Sequence, residues 1–525
     1  MATTKTTTKA TKTTATKTAA KATKTAKAAV EGKTLIIAEK PSVAADLVKV
    51  LGAKSFKKET AYYESDTTIV SHAIGHLVGI ADPKDIDEKY KAWDMKTLPM
   101  LPEKFPLVAL PTTRGHLSAL GKLIKRKDVT TIINACDAGR EGELIFYYIV
   151  DYVLKGNFKG KTFKRLWMQS MTPAAIKDAF EHLRTEEDMV NLRNAALCRS
   201  EADWLVGMNG SRGLTAYNSS MGGFQITPCG RVQTPTLAII VKREEERNRF
   251  VPKKYWTIEA SFKNNSAVYQ GKWFETDKEN GKDRVKQIFD ESRVQEILAK
   301  CKGKKGSIEE TTAPSQQKCG QLYDLTTLQR EANNRFGFSA KTTLSIAQSL
   351  YEHYKATTYP RTDSRCLPED YVAPVKATLG KIEGPLAKFA QEALEKNYVK
   401  RTPKVFDNSK ISDHFAIIPT GVVPKGLSEA EEKIYTMICQ RFIAVFFPPA
   451  QYLNTTRITT VEKETFITEG KILVDPGFKA ITARNLTKIR TFRSWTATRP
   501  RRPHLKQTKT LPSRLPTTPK ARYFR

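Results

Sequence analysis

Two short apolar runs constrain this chain more than any other feature. Residues 35–38 (Leu-Ile-Ile-Ala) and 131–135 (Thr-Ile-Ile-Asn-Ala) each read as a buried strand that ends in charged residues and then enters a helix. The first continues as Glu39-Lys40-Pro41-Ser42, with a proline suited to the opening turn of a helix. The second continues as Asp137-Ala138-Gly139-Arg140-Glu141-Gly142-Glu143 and then an apolar helix over 144–154. Strand and helix alternate from residue 33 to about 185, the pattern of a mostly parallel α/β sheet. Open sheets of this kind bind ligands at the carboxyl ends of their strands, where Glu39, Lys40, Asp137 and Glu141 fall. Asp137 and Glu141 suit a hard cation such as Mg²⁺, which takes one or two carboxylates and otherwise waters and substrate phosphates. Acids at a strand tip are also simply favoured by the dipole of the following helix, and Glu141 and Glu143 fit that reading as well.

More than two hundred positions later, Thr358-Tyr359-Pro360-Arg361-Thr362-Asp363-Ser364 offers a nucleophile. Pro360 pushes Tyr359 into an extended conformation, and in an extended chain Tyr359 and Arg361 point to the same face. A phenol titrating near 10 needs a cation to favour the phenolate, and Arg361 suits a phosphate. Taken alone, the segment equally fits a structural tyrosine beside a surface arginine.

In family order the chain carries Ala38-Glu39-Lys40-Pro41-Ser42, Gly75-His76-Leu77, Asp137-Ala138-Gly139-Arg140-Glu141-Gly142-Glu143, Gly230-Arg231-Val232-Gln233-Thr234-Pro235, Asp324-Leu325-Thr326-Thr327-Leu328-Gln329, Tyr359-Pro360-Arg361-Thr362-Asp363-Ser364 and His414-Phe415-Ala416-Ile417-Ile418-Pro419-Thr420. Together these segments resemble a type IA DNA topoisomerase, most closely the topoisomerase III branch. The resemblance implies that Tyr359 attacks a backbone phosphorus of single-stranded DNA, leaving a 5′-phosphotyrosyl enzyme and a free 3′-hydroxyl, and that religation needs no ATP. It implies Glu39 as general acid and base at the leaving oxygen, and Lys40 and Arg361 as holders of transition-state charge. Glu39, Asp137, Glu141 and Glu143 become the expected Mg²⁺ ligands. His414, Arg231, Gln233 and Arg199 become expected contacts to DNA. Many relatives read Asp-x-Asp-x-Glu, and here Gly139 stands in place of the middle acid, so either Mg²⁺ binds more weakly or Glu143 or a water fills its position.

The fold implied is multidomain, α/β plus α+β: a Toprim domain with helical and β-arch domains forming a type IA topoisomerase ring, incomplete at the C-terminus. The boundaries expected are a disordered basic arm over 1–32, Toprim over 33–185 and the first half of a helical DNA-groove domain over 186–247. A β-arch follows over 248–313, a tyrosine-bearing helical domain over 314–425, the arch's return over 426–478 and a basic irregular tail over 479–525. Half-buried strands are expected where residues 256–262 alternate. Ser339 is expected to cap one helix, and Ser428 with Glu431 to form a capping box for another. After residue 479 the family pattern is no longer legible, and a frameshifted or truncated end is the expectation.

The formal net charge is +32 over 525 residues, with a pI near 9.7. Seven lysines and no acid lie in residues 1–30, and fourteen Lys and Arg and no acid in residues 479–525. A polyanionic partner follows, here DNA with exposed single strands. The seven cysteines form no Cys-x-x-Cys pair, so zinc ribbons are not expected. With no secretory signal and no 18-residue apolar stretch, a monomeric, cytoplasmic, nucleoid-associated protein is expected, without membrane contact and with a helicase as a potential partner. Two other readings remain: a truncated relative that only binds single strands, and another Toprim enzyme, a primase or nuclease, with no use for Tyr359.

Overall fold

The computed structural model describes residues 32–264, 267–277, 282–482 and 501–510, position 221 excepted. The basic arm expected over 1–32 lies outside the described residues but for Gly32, as do residues 483–500 and 511–525 of the tail.

The amino-terminal domain is a six-stranded sheet. Its strands are β1 (Lys33–Ala38), β2 (Lys57–Lys58), β3 (Tyr62–Glu64), β4 (Thr68–His72), β5 (Val129–Ala135) and β6 (Thr162–Arg165), in the order β2-β3-β4-β1-β5-β6. The central strand β1 runs parallel to both neighbours, with Leu35 beside Ile69 on β4 and Ile132 on β5. Its apolar run is continuous because both faces are covered, as buried parallel strands require. Leu35 and Ile37 pack with Leu117, Leu120, Ile145 and Ile149 of helices Arg114–Ile124 and Arg140–Leu154. Ile36 and Ala38 pack with Ala44, Leu47 and Ile176 of helices Pro41–Gly52 and Pro173–Glu181. We call these four helices, in chain order, α1 (Pro41–Gly52), α2 (Arg114–Ile124), α3 (Arg140–Leu154) and α4 (Pro173–Glu181). Helices α1 and α3 therefore begin where β1 and β5 end, which is what gathers charged residues at that edge.

Two long helices follow, α5 (Glu186–Ser219) and α6 (Gln233–Arg249). A capping box of Thr185 and Asp188 starts α5, and Trp204 anchors it to the first domain by donating from Nε1 to the Ala81 carbonyl at 3.1 Å.

The arch is an antiparallel sheet of β7 (Tyr255–Asn264), β8 (Ala267–Asp277), β9 (Lys282–Val285), β10 (Ser307–Gln317), β11 (Ala450–Val461), β12 (Glu464–Asp475) and β13 (Arg501–Thr510). The expected alternation holds in β7, where Trp256, Ile258, Ala260 and Phe262 are buried and the residues between them are half-exposed. Residues 501–510, expected within an irregular tail, instead pair antiparallel with β7. β7 would otherwise present a free row of backbone donors and acceptors, and an edge of that kind takes up another strand.

The tyrosine-bearing domain contains α7 (Leu325–Phe336), α8 (Ala340–Glu352) and α9 (Glu429–Ala444). Ser339 caps α8 by accepting from the Thr342 amide at 3.0 Å, and Ser428 with Glu431 boxes the start of α9, as the sequence indicates. One boundary needs correction. Helix α9, expected within the returning arch, packs its Ile434, Met437 and Ile438 against Tyr323, Leu328, Ala347 and Leu350. Farther along, its Phe442, Ile443 and Ala444 pack with Val375, Leu379 and Ala390 of the tyrosine-bearing domain and also with Ala450 and Tyr452 of β11, so the helix joins the domain to the returning arch. Among the described residues no helix is long and apolar enough to cross a membrane.

Candidate active site between two domains

Glu39 leaves the end of β1 and Asp137 the end of β5, and the two are joined where the Asp137 amide donates to Glu39 Oε2 at 3.2 Å. Lys40, the residue before α1, reaches across with Nζ 2.5 Å from Asp137 Oδ2 and 3.8 Å from Glu39 Oε1. Behind them the buried guanidinium of Arg165 donates to the backbone carbonyls of Cys136 at 2.7 Å and Asp137 at 2.6 Å, fixing the strand end. No motif marks Arg165, because its role is to satisfy carbonyls that the turn after β5 leaves free.

The tyrosine-bearing domain closes over this corner. Residues 357–362 are zipped to residues 414–419: the Thr358 amide donates to the Ile418 carbonyl at 2.9 Å, and the Thr362 hydroxyl to the His414 carbonyl at 2.7 Å. The zipper makes neighbours of two residues far apart in sequence, and the Tyr359 and His414 rings lie 4.4 Å apart between centroids. His414 Nε2 is 3.1 Å from Asp137 Oδ2, and Lys40 Nζ is 4.2 Å from the centre of the Tyr359 ring. Three further bonds cross the contact. Gln169 Nε2 donates to the Ile411 carbonyl at 2.8 Å, and the Ser170 (2.9 Å) and Thr172 (2.5 Å) hydroxyls both donate to Asp370 Oδ2. Arg361 is exposed, with its guanidinium 3.4 Å from Gln348 Oε1, and its charge acts on the Tyr359 hydroxyl.

The electrostatics split the acid pair. Burial, and then the charge of Asp137, push the Glu39 carboxyl up to about 7. Burial would raise Asp137 too, but His414 and Lys40 outweigh it and hold that carboxyl below the usual range. Burial would lower the Lys40 ammonium, yet Asp137 and Glu39 keep it above its ordinary value. Burial also raises the Tyr359 phenol, with Lys40 and Arg361 opposing. Near neutral pH the site therefore holds Glu39 poised between its protonated and ionised forms, beside an ionised Asp137 and a charged Lys40.

Glu141 and Glu143, the other two expected metal ligands, do not join this pair, because α3 begins at Arg140 and its turn carries them off. Glu141 Oε1 pairs with His76 Nε2 at 2.5 Å, and that bond lowers its carboxyl. Glu143 is buried, accepts from Asn134 Nδ2 at 2.9 Å and lies 3.6 Å from Arg165 and 3.8 Å from Arg193. Among the described residues no three His, Cys, Asp or Glu side chains are gathered to hold a metal by themselves. What fits Mg²⁺ is the pair Glu39 and Asp137, two neighbouring carboxyls whose mutual repulsion, seen in the raised Glu39, a cation would relieve; the remaining ligands would be water and a substrate phosphate.

Arg199, Arg231 and Gln233 form a separate patch on α5 and at the start of α6. Arg231 Nη1 is 3.0 Å from Asp203 Oδ1, and Arg199 lines a small pocket with His76, Arg140 and Glu141. The sequence reading passed over Asp413, which lies in the cleft beside His414. Its place immediately before the His414 motif was the only signal it gave.

A family model described as DNA topoisomerase matches residues 187–523, and one described as Toprim domain matches residues 34–170. The chain belongs to the DNA topoisomerase family. The type IA resemblance, topoisomerase III branch, is borne out, and the match to this family runs past residue 479, where the pattern stops being legible by eye. DNA topoisomerase 3 of Bacillus subtilis is 40% identical over 454 residues, and those of Bacillus licheniformis and Bacillus cereus are 41% and 42% identical over the same length. In each case 86% of this chain is covered and 59% of the relative, so the chain spans about three fifths of the length of these topoisomerases. In fold it is similar to full-length topoisomerase I from Thermotoga maritima, with a TM-score of 0.60 and 21% identity over 92% of this chain and 73% of that one.

Proposed function

We propose that this protein cuts one strand of DNA through Tyr359, holds the 5′-phosphate covalently, lets a strand pass and reseals the break without ATP, relaxing negatively supercoiled DNA or decatenating it. One observation carries the reading: the Tyr359 ring is delivered between Lys40 and His414, over an acid pair contributed by a different domain. A primase or nuclease would have no use for a phenol in that place.

Tyr359 Oη forms a bond to phosphorus as the bond from phosphorus to the 3′-oxygen breaks. The phenolic proton leaves to water in the cleft, and the proton on Glu39 goes to the departing 3′-oxygen. Lys40, with Arg361 nearby, takes the charge that builds on the phosphoryl oxygens, and His414 and Asp137 hold one another in place. For religation the same steps reverse, with ionised Glu39 drawing the proton from the 3′-hydroxyl. Mg²⁺ held by Glu39, Asp137 and the phosphate would supply positive charge at the break, and chelation by EDTA is expected to slow resealing.

The substrate proposed is single-stranded DNA, bound along Arg199, Arg231 and Gln233, with a monomer in the cytoplasm as the working form and a helicase as the partner that opens duplex for it. The test is a plasmid assay on this chain with Mg²⁺ followed by denaturant. Relaxed circles and a protein–DNA adduct that Tyr359→Phe abolishes support the reading, and an adduct that survives the substitution refutes it.

A further inference from the structure

We propose that Asp413 is a positioning residue of this active site, seated in a notch of the Toprim domain that exists only because residue 139 has no side chain. The inference deepens the strand-cleavage reading and rests on it. Gly139 precedes α3 with φ −165° and ψ −178°, extended backbone that any residue adopts, so its conformation does not call for glycine. Space does. A Cβ built on Gly139 would overlap the Asp413 carboxylate, with Oδ1 nearest and Cγ and Oδ2 also too close. The carboxylate of the tyrosine-bearing domain thus occupies the volume that a side chain at 139 would need.

The seat lies inside the reacting cluster. The Gly139 amide donates to the Asp137 carbonyl at 2.8 Å, while His414, the next residue after Asp413, reaches Asp137 Oδ2 at 3.1 Å. Two residues before Asp413, the Ile411 carbonyl takes the Gln169 bond across the same contact. Residues 411–414 are therefore laid along the turn 137–139, and a side chain at 139 must displace the Asp413 carboxylate from it. Asp413 adjoins His414, so a shift at 413 is passed to His414 and, through the zipper, to Tyr359. The departure from Asp-x-Asp-x-Glu then has a compensation. A carboxylate still stands beside Asp137, but it is brought by the other domain and is complete only when the two domains are closed. An acid at 139 would compete with Asp413 for the same volume.

Restoring the acid by Gly139→Asp tests the inference directly. Domain separation is read on DNA-free protein by electron–electron distance measurement between spin labels at the exposed positions Lys122 and Lys388, with the exposed Cys198 replaced by Ser. Gly139→Asp is expected to widen that distance and to lower adduct formation about 100-fold, the scale of a misplacement near 1 Å. Adding Asp413→Gly is expected to close the domains again and to return adduct to within about tenfold of the parent, a coupling that two independent sites would not show. A closed Gly139→Asp variant with undiminished adduct, or a double variant no better than the single, would overturn the proposal. Asp413→Ala adds no bulk and covers the case in which Gly139→Asp does not fold. It is expected to lower adduct at saturating DNA about tenfold with DNA affinity within about twofold, and unchanged adduct would count against the seat. Because the distance is read without DNA, it fails or succeeds independently of whether Tyr359 cuts.

Discussion

Asp137 and Glu143 stand six positions apart in one run of sequence, and the fold gives them opposite employment. Asp137, at the tip of β5, faces the cleft, where Lys40 and His414 keep it ionised. Glu143, in the first turn of α3, faces inward, where burial raises its carboxyl against the pull of Arg165 and Arg193. The difference shows that a carboxylate's position along a motif says little until the phase of the following helix is known. It also predicts that the two acids fail in different ways when altered.

The largest effect is expected on the cleft side. Glu39→Gln removes the proton donor proposed for the leaving oxygen and should slow single-turnover cleavage by about 10²–10⁴, measured as adduct formed with time. The parent needs Glu39 protonated, and its carboxyl sits at about 7, so cleavage should fall as pH rises through neutrality. The glutamine variant should lose that descent, and an unchanged pH profile would remove Glu39 from the role.

On the inward side the expected loss is of stability. Glu143→Ala strips the carboxylate from Arg165, whose guanidinium is almost wholly buried, and should cost about 3 kcal/mol in denaturant unfolding. Glu143→Gln keeps the bond from Asn134 and should leave adduct formation within about threefold of the parent once the protein is folded. A large catalytic defect in a stable glutamine variant would return Glu143 to the acid cluster.

Glu141 provides the smallest effect. Its bond to His76 lies at a half-exposed surface, so Glu141→Gln should change stability by less than about 1 kcal/mol. The Mg²⁺ concentration needed for resealing should stay the same, whereas Asp137→Asn should raise it, and a raised requirement in Glu141→Gln would show that α3 rearranges around the ion.

Much of this arrangement was legible in the sequence, for reasons that are local. Residues 35–38 and 131–135 announce buried strands, residues 256–262 alternate, and Ser339 and Ser428 cap their helices as their side chains dictate. The Tyr359 and His414 segments could be associated only through their resemblance to the family, because the zipper that joins them is made of bonds from the Thr358 amide and from threonine hydroxyls to the backbone of distant residues. Illegible features share a cause. The domain to which α9 belongs, the pairing of 501–510 with β7 and the Asp413 seat are each decided by what packs opposite, and spacing within a motif carries no record of that. Glu141 and Glu143 lie away from Asp137 for a subtler reason: the start of α3 at Arg140 sets their direction, and a count of acids does not.

The central claim is that Tyr359 itself, held over Glu39 and Asp137, takes the phosphate. Digesting the denatured adduct and weighing its peptides by mass spectrometry tests it most directly. The account predicts a 5′-nucleotide on the peptide that contains Tyr359, and the same nucleotide mass on any other residue, with Tyr359 unmodified, would contradict it.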